Sequence, residues 1–315
     1  MNKENRFPNL LQSIILVIVF VSTLLIYLNI VLNMFSHIIK VNISDNPFFV
    51  GVALIVSFLV TCIVIMLWGK YSFKEIFISK IIEYELFLPV CLMFIGLHFL
   101  LSEINNITQY FISDPETFNN ATESLLNNES KIGIFFLTVI VAPVIEEILF
   151  RGIILRGLLV NHSKALALCA SALLFGLSHL DPWMIIPTGI FGLVLGWIYL
   201  KTKSVYLCMF CHSFNNLLVF LAVSSEIEIP GYTTHYPDKF QPLWMDAAAI
   251  IVFIIGLIIF AKLTKNKSET LETSPSIPPT VQANEKPPVI SNPSEMLENV
   301  PPIIPSNPEK QDQNQ

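Results

Sequence analysis

Charged residues are scarce in this chain of 315 residues. They make up 13% of it, against about 25% in soluble globular domains. Hydrophobic residues make up 53%, and apolar runs recur at about 20 residues, the length that crosses about 30 Å of hydrocarbon. The composition excludes an ordinary soluble domain and predicts an all-α polytopic membrane protein. The lipid bilayer is therefore an expected partner, and no nucleic-acid partner is predicted.

Several other features are missing or rare. The five cysteines all lie within apolar runs, so a disulfide framework is not expected; they are Cys62, Cys91, Cys169, Cys208 and Cys211. The His-Glu-x-x-His signature of zinc proteases does not occur in the sequence. No internal repeat is evident, and the N-terminal half has no second acidic cluster, which weighs against a transporter.

Eight apolar runs predict about eight transmembrane helices, near residues 11–34, 48–68, 86–102, 132–155, 164–180, 184–200, 204–224 and 243–263. The fifth run is short and the sixth contains Pro187, so seven helices plus a re-entrant segment is the alternative. With a cytoplasmic N-terminus, thirteen Lys and Arg residues fall inside and only Lys40, Lys131 and Lys239 outside. The positive-inside rule thus predicts cytoplasmic N- and C-termini. The expected location is a bacterial plasma membrane.

One short stretch places ionisable residues inside a predicted span: Pro143-Val-Ile-Glu146-Glu147-Ile-Leu-Phe-Arg151. Such groups cost a few kcal/mol or more in a membrane and indicate a functional site by default. Glu147 and Arg151 are four residues apart, so they share a helical face and can form an ion pair. Glu146 points about 100° away and has no cation nearby in sequence, which suits a proton acceptor. A structural charge cluster at the helix end is the alternative.

Two later spans carry imidazoles. His179 follows Phe175 by one helical turn at the end of the fifth span. His212 and Asn216 are also four residues apart, and two hydrogen-bonding groups on one face are what an oxyanion site requires. Asn215 lies off that face. Hydrogen bonding between helices is the alternative role for each of these residues.

Together, the motifs Glu-Glu-x-x-x-Arg, Phe-x-x-x-His and His-x-x-x-Asn resemble those of the CPBP family of intramembrane endopeptidases. This family includes CAAX prenyl proteases of the Ras-converting type and bacteriocin-processing enzymes. The resemblance covers about residues 130–225. It implies that Glu146 and His179 hold and activate the attacking water, and that His212 and Asn216 form the oxyanion site.

The resemblance also bears on the remaining residues and on a metal. Glu147 and Arg151 complete the first motif as supporting residues. The family is filed with metalloproteases, and two imidazoles and a carboxylate can hold zinc with one position open for water. The candidate metal ligands are Glu146, His179 and His212. A glutamate-activated water without metal is the alternative.

The predicted activity is hydrolysis of a peptide bond in a membrane-anchored protein or peptide, of CAAX type or a peptide precursor. The substrate is expected to enter a cavity open to the cytoplasm. Glu146 and His179 can meet there only if the fifth span is tilted or broken. A proton-coupled transporter, in which buried ionisable residues relay protons, and a non-catalytic bacteriocin-immunity membrane protein are the alternatives.

Three regions are predicted along the chain. Residues 1–130 hold N-terminal transmembrane helices and an amphipathic surface helix at Tyr71–Tyr84. Residues 131–264 form the catalytic CPBP-like membrane core. Residues 265–315 are predicted to be a disordered cytoplasmic tail, because a Pro-rich polar segment cannot bury enough apolar surface to fold; residues 271–310 hold ten of the twenty prolines.

Overall fold

The computed structural model describes residues 7–40, 46–69, 79–112, 131–225, 227–233 and 240–273. The main helices in these ranges are numbered here in chain order. They are α1 Leu10–Ile38, α2 Pro47–Gly69, α3 Tyr84–Phe111, α4 Lys131–Asn161, α5 Lys164–Leu177, α6 Ile185–Thr202, α7 Val205–Val223 and α8 Leu243–Lys265.

Seven of these helices are long and apolar enough to cross a bilayer, and α5 is not. Its 14 residues span about 21 Å, less than the hydrocarbon core. Large apolar side chains such as Leu67 and Leu88 are 78% and 68% exposed on the helix surfaces, and lipid is the solvent that suits such a surface. The predicted all-α polytopic membrane fold is confirmed, with the fifth helix shortened.

Helices α5 and α6 form a tightly packed antiparallel hairpin. A Cβ at Gly176 would lie 2.6 Å from the carbonyl oxygen of Ile185, and a Cβ at Gly192 would lie 3.2 Å from the Cα of Ala172. Only glycine permits backbones to approach so closely. Because α5 has 14 residues, the turn between the two helices, residues 178–184, lies about 21 Å along the helix axis from the start of α5.

One end of the bundle collects most of the described cations, and we call it the basic end. There the Lys80 N–H donates to Lys203 O (3.4 Å), and Ser204 Oγ donates to Lys80 O (2.8 Å). Asn161 Nδ2 donates to Pro8 O (3.4 Å) nearby. The described cations at or near this end are Lys80, Arg156, Lys164, Lys201, Lys203, Lys262 and Lys265.

The opposite end, called the far end, is formed by the last turns of α3 and α7, the start of α4, and residues 227–233 and 240–242. Asn106 Nδ2 donates to Gly231 O (2.6 Å), and the Gln241 N–H donates to Glu103 Oε2 (3.0 Å). Helix α3 runs past residue 102, where its span is predicted to end, because these polar side chains find partners there. Among the described residues, Lys40 and Lys131 are the Lys and Arg residues at the far end.

Two predicted features lie mostly outside the described ranges: the surface helix at Tyr71–Tyr84 and the Pro-rich tail. The last helix continues to Thr273, beyond residue 265, where the tail region is predicted to begin. Met1–Thr270 form one compact unit. The division of the chain at residue 130 stays a prediction.

Candidate active site

Helix α4 departs from regular α-helical geometry around the acidic motif. Phe136–Val141 and Ile148–Leu155 are π-helical, and Ala142–Glu147 between them is α-helical. Pro143 has no backbone N–H, so the turn before it cannot keep its usual bonding. Wide turns of this kind are frequent at functional sites.

Glu147 and Arg151 form the predicted ion pair, and both are buried. Arg151 Nη1 donates to Glu147 Oε1 (2.8 Å), and Nη2 donates to the carbonyl oxygen of Gly192 in α6 (3.0 Å). The guanidinium also lies over the Phe175 ring, 4.7 Å from its centroid. A buried charge is stable only when it has an opposite charge and hydrogen bonds, and Arg151 has both. Through its contacts with Phe175 and Gly192, Arg151 also connects α4 to α5 and α6.

Glu147 has a second partner that the sequence does not indicate. His212 Nδ1 lies 2.8 Å from Glu147 Oε1. A carboxylate accepts hydrogen bonds, so this contact places the proton on Nδ1 and turns Nε2 away from Glu147. The interpretation of Glu147 as a partner of Arg151 alone is therefore incomplete, because the same carboxylate orients His212.

Glu146 faces a cavity rather than the packed interior. Its side chain is 18% exposed, whereas that of Glu147 is fully buried. Glu146 Oε2 lies 4.0 Å from His212 Nε2 and has no hydrogen-bond partner. That separation is too long for a direct hydrogen bond, so a polar group between the two side chains could bind both.

His179 lies two residues beyond the end of α5 and lines the same cavity as Glu146. Its Nδ1 is 3.0 Å from Phe175 O. The Phe175 ring packs edge-on against the rings of His179 and His212, with centroids 5.0 and 5.9 Å away. Helix α5 ends at Leu177, and His179 lies in the turn that follows it.

Asn216 lines the cavity one turn after His212, as predicted. Its Nδ2 donates to Thr138 O (2.9 Å) in the first π-helical stretch of α4, which fixes the amide and leaves one N–H for another acceptor. Asn215, which the sequence places off this face, is also buried and lines the cavity. Its Oδ1 has no hydrogen-bond partner.

Sequence reasoning missed two further residues of the cavity wall. His98 in α3 is buried, and its Nε2 lies 3.0 Å from the Tyr232 hydroxyl. Burial raises the pKa of Tyr232, so the hydroxyl keeps its proton at neutral pH and can donate to His98. The signal for His98 was available, since a histidine inside an apolar span is itself unusual.

The cavity has a volume of about 450 Å³, within the usual range for ligand sites. Beside the residues already described, its walls include Leu101, Ser102, Asn105, Lys131, Thr188 and Ser224. These residues lie between the candidate site and the far end. The start of α1 lies at the opposite, basic end, near Asn161, so a cytoplasmic N-terminus and a cavity that opens to the cytoplasm are compatible only if the cavity does not open at the far end.

The described residues do not gather a metal site. No three His, Cys, Asp or Glu side chains within the described ranges are clustered for metal binding. His212 donates a hydrogen bond from Nδ1 to Glu147, which leaves Nε2 on the cavity side, an arrangement that is also usual for histidines that bind metals. A zinc ion held by Glu146, His179 and His212 stays a prediction.

Comparison with known proteins agrees with the resemblance. Residues 128–218 match the family model described as type II CAAX prenyl endopeptidase Rce1-like. A segment of 112 residues is 25% identical to YdiL of Bacillus subtilis (strain 168), a protein whose name describes it as a membrane peptidase. The alignment covers 35% of this chain and 46% of that protein, so the chain spans under half of its relative's length. No solved structure matches the chain.

Proposed function

We propose that this chain hydrolyses a peptide bond of a membrane-anchored protein or peptide, and the match of residues 128–218 to the type II CAAX prenyl endopeptidase Rce1-like family model supports this proposal. The attacking water is activated by Glu146 and His179. The observations that carry the proposal are that the Glu146 side chain lines the cavity, and that its Oε2 atom, which is buried and has no hydrogen-bond partner, lies 4.0 Å from His212 Nε2. We place the protein in a bacterial plasma membrane with both termini in the cytoplasm.

In this mechanism, Glu146 removes a proton from the water while the water oxygen attacks the substrate carbonyl carbon. His179, on the same cavity wall, holds the water. The protonated Glu146 then gives the proton to the leaving amine as the C–N bond breaks. The products are a carboxyl terminus and an amino terminus, with no change of oxidation state.

The negative charge of the tetrahedral intermediate is held by His212 and Asn216. Glu147 accepts a hydrogen bond from Nδ1–H of His212 and so holds the ring with Nε2 toward the cavity, where an Nε2–H can donate to the oxyanion. Asn216 contributes its remaining amide N–H. Donors that are held in place before the reaction stabilise developing charge without reorganising. Here the Glu147–Arg151 pair holds His212, and the Thr138 carbonyl holds Asn216.

The test is Glu146→Gln, which keeps the size of the side chain and removes the base. Cleavage should fall by about 100- to 10,000-fold, with an unchanged gel-filtration profile in detergent. Protein from cells carrying wild-type or variant enzyme is compared by mass spectrometry of new amino termini. Glu228→Gln, the same change on an exposed loop residue, is the matched control. Equal cleavage by wild type and Glu146→Gln would disprove the assignment.

The transporter alternative predicts a different result for the same variant. A proton path would have to continue from Arg151 toward the basic end, but Gly152–Leu155 are all buried among apolar side chains. Proton-coupled uptake into proteoliposomes that depends on Glu146 would favour transport. Protection against a bacteriocin that survives Glu146→Gln would favour the non-catalytic immunity role.

A further inference from the structure

We infer that the cavity opens on the non-cytoplasmic side of the membrane, and that the substrate bond lies at the outer end of a membrane anchor. This inference rests on the proposed function for the identity of the occupant. The position of the opening rests on the structure and on the distribution of charge. It replaces the expectation of a cytoplasmic opening.

The two ends of the bundle differ in charge, and the difference sets the orientation. The basic end brings together lysines from separate loops. The Lys80 N–H donates to Lys203 O (3.4 Å), and burial, followed by the charges of Lys164 and Lys80, lowers the pKa of Lys203. Short loops rich in Lys and Arg stay in the cytoplasm. Arg151 adds nothing to this pattern, because it is buried in an ion pair.

The shortened helix α5 does not change the orientation. Helix α5 starts at the basic end beside Lys164, and α6 returns there at Thr202. The hairpin therefore enters and leaves from the same side, whether or not its turn reaches the opposite surface. The far end lies outside the cytoplasm in either case.

On every helix that lines it, the cavity lies on the far-end side of the candidate site. Helix α7 contributes residues from His212 to Ser224, and α4 contributes residues from Lys131 to Glu146. Helix α3 contributes residues between His98 and Asn105, and the α6 contribution ends at Phe191. The wall of the cavity therefore leads from Glu146 to the far end.

The opposite direction is closed. All residues of Ile148–Leu155 in α4 are buried. Across from them, Leu195, Ile198, Leu207 and Cys208 are fully buried. Close packing of this kind leaves no passage for a peptide from the basic end.

The chemistry of the wall suits an extended peptide. Ser102, Asn105, Thr188 and Asn215 offer hydroxyl and amide groups along a mostly apolar cavity, and Asn105 Oδ1 and Asn215 Oδ1 have no hydrogen-bond partners. A peptide backbone drawn below the membrane surface needs such partners, because unpaired N–H and C=O groups are costly there. A segment next to the outer end of an anchor reaches this wall without crossing the bilayer.

The opening is tested by cysteine labelling in intact cells. Cys91 and Cys169 are first replaced by serine, and the three buried cysteines are kept. Single cysteines are then placed by Ile227→Cys at the far end or Tyr84→Cys near the basic end, positions 68% and 80% exposed. A membrane-impermeant maleimide should label Ile227→Cys in intact cells and Tyr84→Cys only after lysis. The reverse pattern, or equal labelling of both, would overturn the inference.

The substrate is tested separately by mapping new amino termini in membranes from cells with wild-type enzyme or Glu146→Gln. Sites that require Glu146 should lie at the non-cytoplasmic ends of anchors. Sites at cytoplasmic ends would overturn this inference and leave the peptidase intact. If no site depends on Glu146, the proposed function fails and so does the substrate assignment, while the labelling result still decides which side of the membrane the far end faces.

Discussion

The bundle is packed between the candidate site and the basic end, and hollow between the site and the far end. Glu147 and Glu146, adjacent in α4, mark the boundary. Glu147 is fully buried and contacts Arg151 and His212, whereas Glu146 is 18% exposed and lies 4.0 Å from His212 Nε2, too far for a hydrogen bond. Because successive residues of a helix point about 100° apart, one helix can place one carboxylate in each half. The Glu147 carboxylate positions Arg151 and His212, and the Glu146 carboxylate is the proposed general base.

Glu147→Gln is expected to have the largest effect, because it changes the packed half of the bundle. The change leaves Arg151 as a charge buried without compensation, which costs about 3 to 5 kcal/mol, and it also removes the group that orients His212. Both the unfolding midpoint in detergent and the cleavage rate should fall. Glu146→Gln should lose cleavage alone. If Glu147→Gln is as stable as wild type, the packed half does not depend on the ion pair.

Asn216→Ala tests the cavity half. The lost donor should lower the turnover number by about 100- to 1000-fold, with a smaller change in KM, because the donor acts on charge that develops during the reaction. Asn216→Asp, which keeps the shape but replaces the N–H by an acceptor, should be at least as slow. Steady-state kinetics on one cleaved peptide separate the two constants. A higher KM with normal turnover would assign Asn216 to substrate binding instead.

The structural features that could be predicted from the sequence are those that depend on residues close together in the chain. Glu147 and Arg151 pair as their spacing predicts, since a four-residue separation fixes the shared face. The apolar runs located the long helices for the same local reason. The contacts from Glu147 to His212 and from Asn216 to Thr138 join residues far apart in the chain. They depend on how helices approach one another, which a single span does not encode.

The misplaced boundaries have a common physical cause. The predicted third span stops at residue 102, although the helix continues to Phe111, whereas the predicted fifth span runs to residue 180, although the helix stops at Leu177. In α3 the helix continues, because Glu103 and Asn106 bond to the segment around Gly231 and Gln241. In α5 the helix stops, and its turn brings His179 to the cavity. Tertiary partners decide between the two outcomes, and the sequence of one segment cannot supply them.

A smaller effect is expected at the mouth of the cavity. Tyr232→Phe removes the hydroxyl that lies 3.0 Å from His98 Nε2 and leaves a buried nitrogen without its partner, at a cost of about 0.5 to 1.5 kcal/mol. The unfolding midpoint should drop slightly. Tyr84→Phe, the same change at an 80% exposed position near the basic end, should have no effect. Equal midpoints for both variants would mean that the far-end segment is not held to α3 by this bond.

The smallest expected effect separates water from metal in the cavity half. Glu146 Oε2 and His212 Nε2 are 4.0 Å apart, His212 Nδ1 is used by Glu147, and His179 Nδ1 lies against Phe175 O. Because the described His, Cys, Asp and Glu side chains include no group of three placed for metal binding, we expect cleavage by purified enzyme to persist after dialysis against a strong chelator. Added zinc should not raise the rate. Loss of cleavage on chelation, restored by zinc but not by magnesium, would instead mean that Glu146, His179 and His212 close around an ion, and that the water is activated by the metal.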